Sequence, residues 1–235
     1  LSKKTKMENS VLWSLRLGFT IRQSNAIDKL GIEQFVTNSI NHKYSKEIPS
    51  CLKDTPKSLN DIRELRKKYR NSTDEETRKL LKTTLIDAIE YKKWWIDSIR
   101  NEEYPLREKM VLFWHNHFVA VNQNPHREYY YFNTLRKNAT GNVIQFTKEI
   151  TIDPTMLLYL SGAVNTNVAP NENYAREFLE LFTIGKGPQI GPGDYTNYTE
   201  EDVAAGAKIF TGFLVDGLRS DSITNVTSVF TPILH

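Results

Sequence analysis

Apolar residues recur at intervals of three and four along most of the chain, and this spacing predicts amphipathic helices. Local signals mark where some of them begin. Thr73-Asp-Glu-Glu is a capping box, Pro105 suits the first turn of a helix, and Thr199-Glu-Glu-Asp opens another. The predicted helices cover residues 8–17, 21–30, 32–41, 58–69, 73–100, 105–119, 128–137, 142–150, 153–162, 171–184 and 199–210.

The pattern changes after Gly212. Asp216-Gly217 is a turn signal, and β-branched residues follow from Ile223 to Val229, which together predict a hairpin. We therefore predict a mainly α fold, a multi-helix orthogonal bundle with a small β-hairpin near the C-terminal end. Residues 1–212 would form the helical domain, and residues 213–235 an extended or hairpin segment that leads into a missing C-terminal part.

One predicted helix carries an unusual polar stripe. At 100° per residue, Asn173, Arg176, Glu177 and Glu180 fall on one narrow face, and apolar side chains such as Tyr174 cover most of the rest. Burying such groups alone costs roughly several kcal/mol. They must therefore be paired, bound to a metal ion, or exposed in a cleft.

A second set of polar residues lies on the predicted helix 105–119. Helical spacing places His117 on its apolar stripe with Trp114, beside Asn116, whereas His115 points to another face. Histidines at i and i+2 do not easily bind one metal ion, so His115 and His117 are not a metal motif by themselves.

The two helices could share one site. His117, Glu177 and Glu180 form a plausible ligand set for a divalent metal ion, and the same groups could perform acid–base chemistry. The alternatives are a core histidine satisfied by a neighbour, and glutamates in salt bridges to Arg176 or to another helix.

Composition excludes several classes of protein. The single cysteine, Cys51, permits no disulfide within the chain and no zinc site built on cysteines. No run of roughly 18 apolar residues predicts a membrane span, and the first residues lack a signal peptide's apolar region.

Residues 57–70 are basic, but Asp61 and Glu64 dilute the charge, which argues against a nucleic-acid partner. The Gly/Pro-rich loop 185–198 is long enough to carry function.

Several segments resemble the bacterial family known as domain of unknown function 1800. They are Leu106-Arg-Glu-Lys-Met-Val-Leu-Phe-Trp-His-Asn-His-Phe118, Asn133-Thr-Leu-Arg136, Asp153-Pro-Thr-Met-Leu157, Pro170 to Gly185, and Tyr198-Thr-Glu-Glu-Asp-Val203 with Thr211-Gly212. Their order and spacing agree over roughly residues 8–235.

The resemblance implies a predominantly helical, usually exported bacterial protein of about twice this length, of which this chain would be the N-terminal half. The family pattern carries over onto Trp114, Asn116, His117, Asn171, Asn173, Tyr174, Arg176, Glu177 and Glu180. Two departures stand out. Val11-Leu-Trp-Ser-Leu-Arg16 lacks a histidine common at the start of the family, and the loop after Val121 is shorter than expected.

Three hypotheses follow. The first is an exported enzyme with a pocket between the 105–119 and 171–184 helices. In it Glu177 and Glu180 act as acid/base groups or metal ligands, His117 as ligand or proton shuttle, and Arg176 as anion anchor. Asn173, Asn116, Tyr174 and Trp114 would contact its ligand. The second is a non-catalytic binding or assembly module of the cell envelope, with an envelope or extracellular partner, in which the stripe is a buried structural network. The third is a nucleic-acid binder that uses residues 57–70.

Overall fold

The computed structural model describes residues 2–52, 75–121, 124–215 and 227–235, and the isolated positions 64, 67 and 70. Its helices are α1 (Ser2–Leu17), α2 (Ser24–Leu30), α3 (Ile32–Asn41), α4 (Glu75–Asn101), α5 (Leu106–His117), α6 (Pro125–Asn138), α7 (Val143–Thr151), α8 (Pro154–Tyr159), α9 (Glu172–Glu177) and α10 (Glu200–Ile209). Short 3₁₀ turns cover Ser50–Leu52, Gly162–Val164 and Pro232–Leu234, and a π turn, Phe178–Phe182, continues α9.

Two short strands complete the fold. Strand β1 (Phe213–Val215) pairs antiparallel with β2 (Ser228–Phe230), with Leu214 opposite Val229. The prediction of a mainly helical fold with a small antiparallel sheet near the C-terminal end is confirmed. The predicted turn at Asp216-Gly217 lies outside the described residues.

Most helix starts follow the local signals in the sequence. Asn142 caps α7 by accepting from the backbone N–H of Gln145, and Asp153 caps α8 by accepting from that of Thr155. The capping box at Thr199 forms as predicted, with Asp202 as its second member.

Other boundaries differ from the prediction. Helix α1 begins at Ser2 rather than at residue 8, and α2 begins at Ser24 without a cap from Thr20. The basic helix predicted at 58–69 lies almost wholly outside the described residues. Glu64 and Lys67 there, and Arg70 just beyond, are helical and exposed.

The main core is aromatic and lies where α5, α6, α7, α8 and α9 meet. The Trp114 ring packs 5.9 Å from Phe118 and 5.2 Å from Phe146, and Leu135 and Tyr174 close the cluster. These rings bury a large apolar area, which is the main stabilising contribution at such a junction. The core therefore places the end of α5 beside the π turn that continues α9, where the Phe118 and Phe182 ring centroids lie 5.9 Å apart.

A buried ion pair ties this core to α4. Arg136 of α6 donates to Glu108 of α5 through Nε at 2.6 Å and Nη2 at 3.2 Å, and Trp95 of α4 donates its indole N–H to Glu108 at 2.8 Å. The Arg136 and Glu108 side chains are only 4% and 8% exposed. Three helices are thus joined by one carboxylate.

In the parts of the chain that the structure describes, no helix combines the length and the apolar character needed to cross a membrane.

Candidate functional site

Two asparagines fix the start of α9. Asn171 caps the helix by accepting from the backbone N–H of Tyr174, and its amide donates to the carbonyls of Leu160 and Ser161. Asn165, fully buried, accepts from the backbone N–H of Asn171 at 2.7 Å and donates to Ala207 of α10. Asn171 therefore has a structural role. These hydrogen bonds hold the start of α9 against α10 without any contribution from the polar stripe.

Arg176 of the polar stripe pairs with α10. Its Nη1 and Nη2 donate to the two carboxylate oxygens of Glu200 at 2.6 and 2.7 Å, a bidentate arrangement. The hydrogen bond with Glu200 raises the pKa of Arg176, and the same bond lowers the pKa of Glu200. The sequence left Glu177 and Glu180 as candidate partners of Arg176, and the structure has Glu200 of α10 in their place. The actual partner lies 24 residues away in sequence, so helical spacing gave no sign of it.

Glu180 lies in the π turn and pairs with the loop that follows. Lys186 Nζ is 2.6 Å from one carboxylate oxygen of Glu180, and the hydroxyl of Tyr198 donates to the other at 3.1 Å. The hydrogen bond between Lys186 and Glu180 raises the pKa of Lys186. Both oxygens of Glu180 are therefore engaged by residues of the same chain.

The Gly/Pro-rich loop 185–198 is pinned to the end of α9. Asn197 donates to the carbonyl of Ile184 at 2.9 Å, and the backbone N–H of Thr196 donates to Pro188 at 2.9 Å. Gly187 has φ +70°, and a Cβ there would lie 2.2 Å from Thr196 Oγ1, so the close approach requires glycine. The loop is thus a structured cover over Glu180.

Two of the predicted ligand-binding residues, Tyr174 and Trp114, belong to the core. The buried Tyr174 hydroxyl donates to the carbonyl of Thr151, and burial raises the pKa of that hydroxyl. The indole N–H of Trp114 donates to Ala139 at 3.0 Å. Their polar atoms satisfy backbone carbonyls, which is the usual condition for burying such side chains.

The histidines of α5 take the opposite places from those predicted. His117 and Asn116 are exposed, whereas His115 is half-buried and stacks on Phe132 with ring centroids 4.9 Å apart. Burial lowers the pKa of His115. His117 Nε2 lies 3.0 Å from the carbonyl oxygen of Phe182. The prediction that His117 faces the core is wrong, because α6 packs against the side of α5 that carries His115. The predicted apolar stripe is itself partly exposed to solvent, and Phe113 on it is 57% exposed.

Two members of the stripe keep free side chains. Asn173 is exposed and Glu177 is half-buried, and neither side chain makes a hydrogen bond or ion pair with another described residue. Glu177 also ends α9 at the junction with the π turn, a feature found often at functional sites.

The predicted metal ligands do not form one group. Across residues 2–52, 75–121, 124–215 and 227–235, no three side chains of His, Cys, Asp or Glu lie close enough together to hold a metal ion. The structure brings His117 to the carbonyl end of the π turn and turns Glu180 toward the loop. The catalytic and metal-binding roles of His117, Glu177 and Glu180 stay predictions.

A cavity of about 580 Å³ lies elsewhere, and sequence reasoning missed it. One face of α6, the segment 44–48, the start of α8 and the start of β2 surround it, and Tyr44, Tyr130, Asn133 and Asp153 are among its lining residues. Such a volume is within the roughly 300–1,000 Å³ of small-molecule sites.

Asp153 is the most perturbed acid of this cavity. It is 7% exposed, it caps α8, and Thr134 donates to its second oxygen at 2.9 Å. Burial raises the pKa of Asp153 to about 6. The sequence carried one signal for this cavity, because two segments of the family resemblance contribute residues to its lining. They are Asn133-Thr-Leu-Arg136 and Asp153-Pro-Thr-Met-Leu157.

A family model described as "Protein of unknown function (DUF1800)" matches residues 11–235. The chain belongs to this family. The match runs from within α1 to residue 235, beyond β2, and therefore includes both α9 and the cavity. Comparison with curated proteins and with solved structures finds no match.

Membership of DUF1800 supplies no activity, so the chemistry must be argued from the groups in place. At α9 the engaged groups, Arg176 and Glu180, stabilise the junction with α10 and the loop. The side chains with no partner among the described residues are Glu177 and Asn173 there, whereas the buried carboxyl of Asp153 at the cavity accepts from Thr155 and Thr134.

Proposed function

We propose that this protein is a non-catalytic binding or assembly module, in which the polar stripe of α9 is a structural network. One observation carries the proposal. The guanidinium of Arg176 and both carboxylate oxygens of Glu180 are bound to side chains of the same chain.

The chemistry of these contacts supports it. An anion anchor acts through its unpaired positive charge, but the bidentate pair with Glu200 neutralises the charge of Arg176 and fixes its guanidinium. A general base must direct a carboxylate oxygen toward its substrate, but Lys186 and Tyr198 hold the two oxygens of Glu180 toward the loop. The network therefore holds α9, α10 and the loop together.

A second candidate, an acid/base enzyme, is favoured by a different observation. Glu177 is half-buried, has no side-chain partner among the described residues, and adjoins the π turn. In this alternative Glu177 is the base, and a ligand would occupy the space beside its carboxylate.

The two candidates predict different results for paired substitutions in α9 and α10. We expect Glu200→Gln to lower Tm by a few degrees, because Arg176 loses its carboxylate, and Glu177→Gln to leave Tm unchanged. The double variant Arg176→Gln/Glu200→Gln should recover part of the loss, since it leaves no unpaired charge. Scanning calorimetry of the purified chain measures all three.

Elemental analysis of the same samples completes the test. We expect no stoichiometric metal ion in the wild type or in Glu177→Gln. If Glu200→Gln melts like the wild type while Glu177→Gln removes a bound metal ion, the structural network is wrong and the enzyme hypothesis takes its place.

We also propose an exported, cell-envelope location with an envelope or extracellular partner, an expectation that rests on the family resemblance alone. Fractionation of cells that carry the natural gene, followed by immunoblotting, tests it. The protein should appear among exported proteins, and recovery from the cytosol would contradict the proposal.

A further inference from the structure

We propose that the cavity beside Asp153 binds a neutral, hydroxyl-rich ligand, a short oligosaccharide. This inference rests on the proposed function and deepens it, because it names the chemical class that the binding module takes.

The wall of the cavity is held in place by hydrogen bonds to backbone carbonyls. The hydroxyl of Tyr129 donates to the carbonyls of Lys46 and Glu47 at 2.8 and 3.0 Å. Arg107 donates to the carbonyl of Ile40 at 2.8 Å, and its guanidinium lies 5.3 Å from the centre of the Tyr44 ring. Because these bonds fix the segment 40–48 across α6, a ligand would find a site that is already formed.

Two aromatic rings offer flat apolar surface. Tyr44 and Tyr130 are half-buried and line the cavity, and their hydroxyls make no hydrogen bond with another described residue. The C–H faces of a sugar ring pack against such rings, and each phenol can also donate to or accept from a sugar hydroxyl.

Polar groups of both kinds surround the rings. The Asn133 side-chain oxygen accepts from Arg136 at 3.1 Å, and its NH₂ group, one N–H of which bonds the Tyr129 hydroxyl, keeps its second N–H to donate. The hydroxyl of Thr134 and the carboxyl of Asp153 lie on the same wall. A hydroxyl both donates and accepts, so a ligand rich in hydroxyls matches this mixture.

Charge excludes other ligand classes. Lys137 is paired with Glu149 at 2.8 Å, and the remaining lining charges are Lys46 and Asp153, one of each sign. Phosphate sites usually combine several cationic donors, whereas Lys46 is a single cation here, and the described residues hold no cluster of ligands for a metal ion. A neutral polar ligand is the class that this lining fits.

The test uses the purified 235-residue chain, a glycan array, and calorimetric titration with maltose, cellobiose and N,N′-diacetylchitobiose. We expect at least one saccharide to bind, and Tyr130→Ala and Asn133→Ala each to raise its Kd by about tenfold or more. Tyr130→Phe, which keeps the ring, should raise it less. Tyr159→Ala, at an exposed tyrosine that does not line the cavity, is the matched control. Asn173→Ala and Glu177→Gln in α9 are the controls for a competing site there, and circular dichroism and Tm are recorded for every variant.

Each possible outcome of this experiment either supports or contradicts the saccharide site. Weaker binding in folded Tyr130→Ala and Asn133→Ala, with unchanged controls, supports the saccharide site. Saccharide binding lost only in the α9 controls overturns the cavity and also the structural role of the stripe. No binding to any saccharide, or binding of inorganic phosphate or calcium instead, overturns the inference about the cavity but leaves the α9 network intact.

Discussion

Replacing Arg136 by Met lowers the free energy of unfolding by about 3–5 kcal/mol. The substitution leaves the Glu108 carboxylate 8% exposed, with Trp95 as its remaining side-chain donor. Most of this loss comes from leaving the buried Glu108 carboxylate without its charged partner, because Met fills much of the volume of the arginine. Chemical denaturation in urea measures it.

An exposed ion pair one residue away supplies the control. Lys137, with a side chain 62% exposed, pairs with Glu149, and we expect Lys137→Met to cost less than about 1 kcal/mol. The double variant Arg136→Met/Glu108→Leu removes both buried charges and should recover most of the loss. If Arg136→Met costs no more than Lys137→Met, the buried pair does not stabilise the junction of α4, α5 and α6.

The second large effect is a pH dependence set by Asp153. Its pKa is about 6 in the folded chain against an ordinary value of 3.8, so the folded state holds a proton that the unfolded state releases. The stability from the protonated carboxyl is fully present below pH 3.8 and is lost as the pH rises through about 6. Two pKa units correspond to about 3 kcal/mol, so Asp153→Asn should stabilise the protein by about that amount at pH 7 and by almost nothing near pH 3.8.

An aspartate with the opposite shift is the control. Hydrogen bonds from Thr199 lower the pKa of Asp202, so its contribution is present above pH 3.8 and is lost as the pH falls further. Asp202→Asn should therefore destabilise at neutral pH. Denaturation midpoints of both variants between about pH 3.5 and 7 provide the comparison, and a gain from Asp153→Asn that is the same at every pH would contradict the raised pKa.

The polar stripe of α9 shows what helical spacing along the sequence can predict and what it cannot. Helical spacing correctly selected Arg176 and Glu180 as groups that need partners, because a polar stripe inside an apolar helix is a local property. It could not name those partners. Glu200 is on another helix, and the packing of α9 against α10 brings it within 2.6 Å of Arg176. Lys186 is in a loop, and the path of that loop brings it within 2.6 Å of Glu180.

The amino-acid sequence by itself determined the helices and the caps at Asp153, Asn171 and Thr199, because these depend on residues a few positions apart. Turn and β-branched residues also indicated the antiparallel pairing of Phe213 to Val215 with Ser228 to Phe230. The tertiary structure alone decided which face of α5 is buried, where Arg176 finds its counter-charge, and that residues near 44, 130, 153 and 228 enclose one cavity. Those features join groups separated by tens to nearly two hundred positions, and their distances follow from how the core packs, which spacing along the chain does not encode.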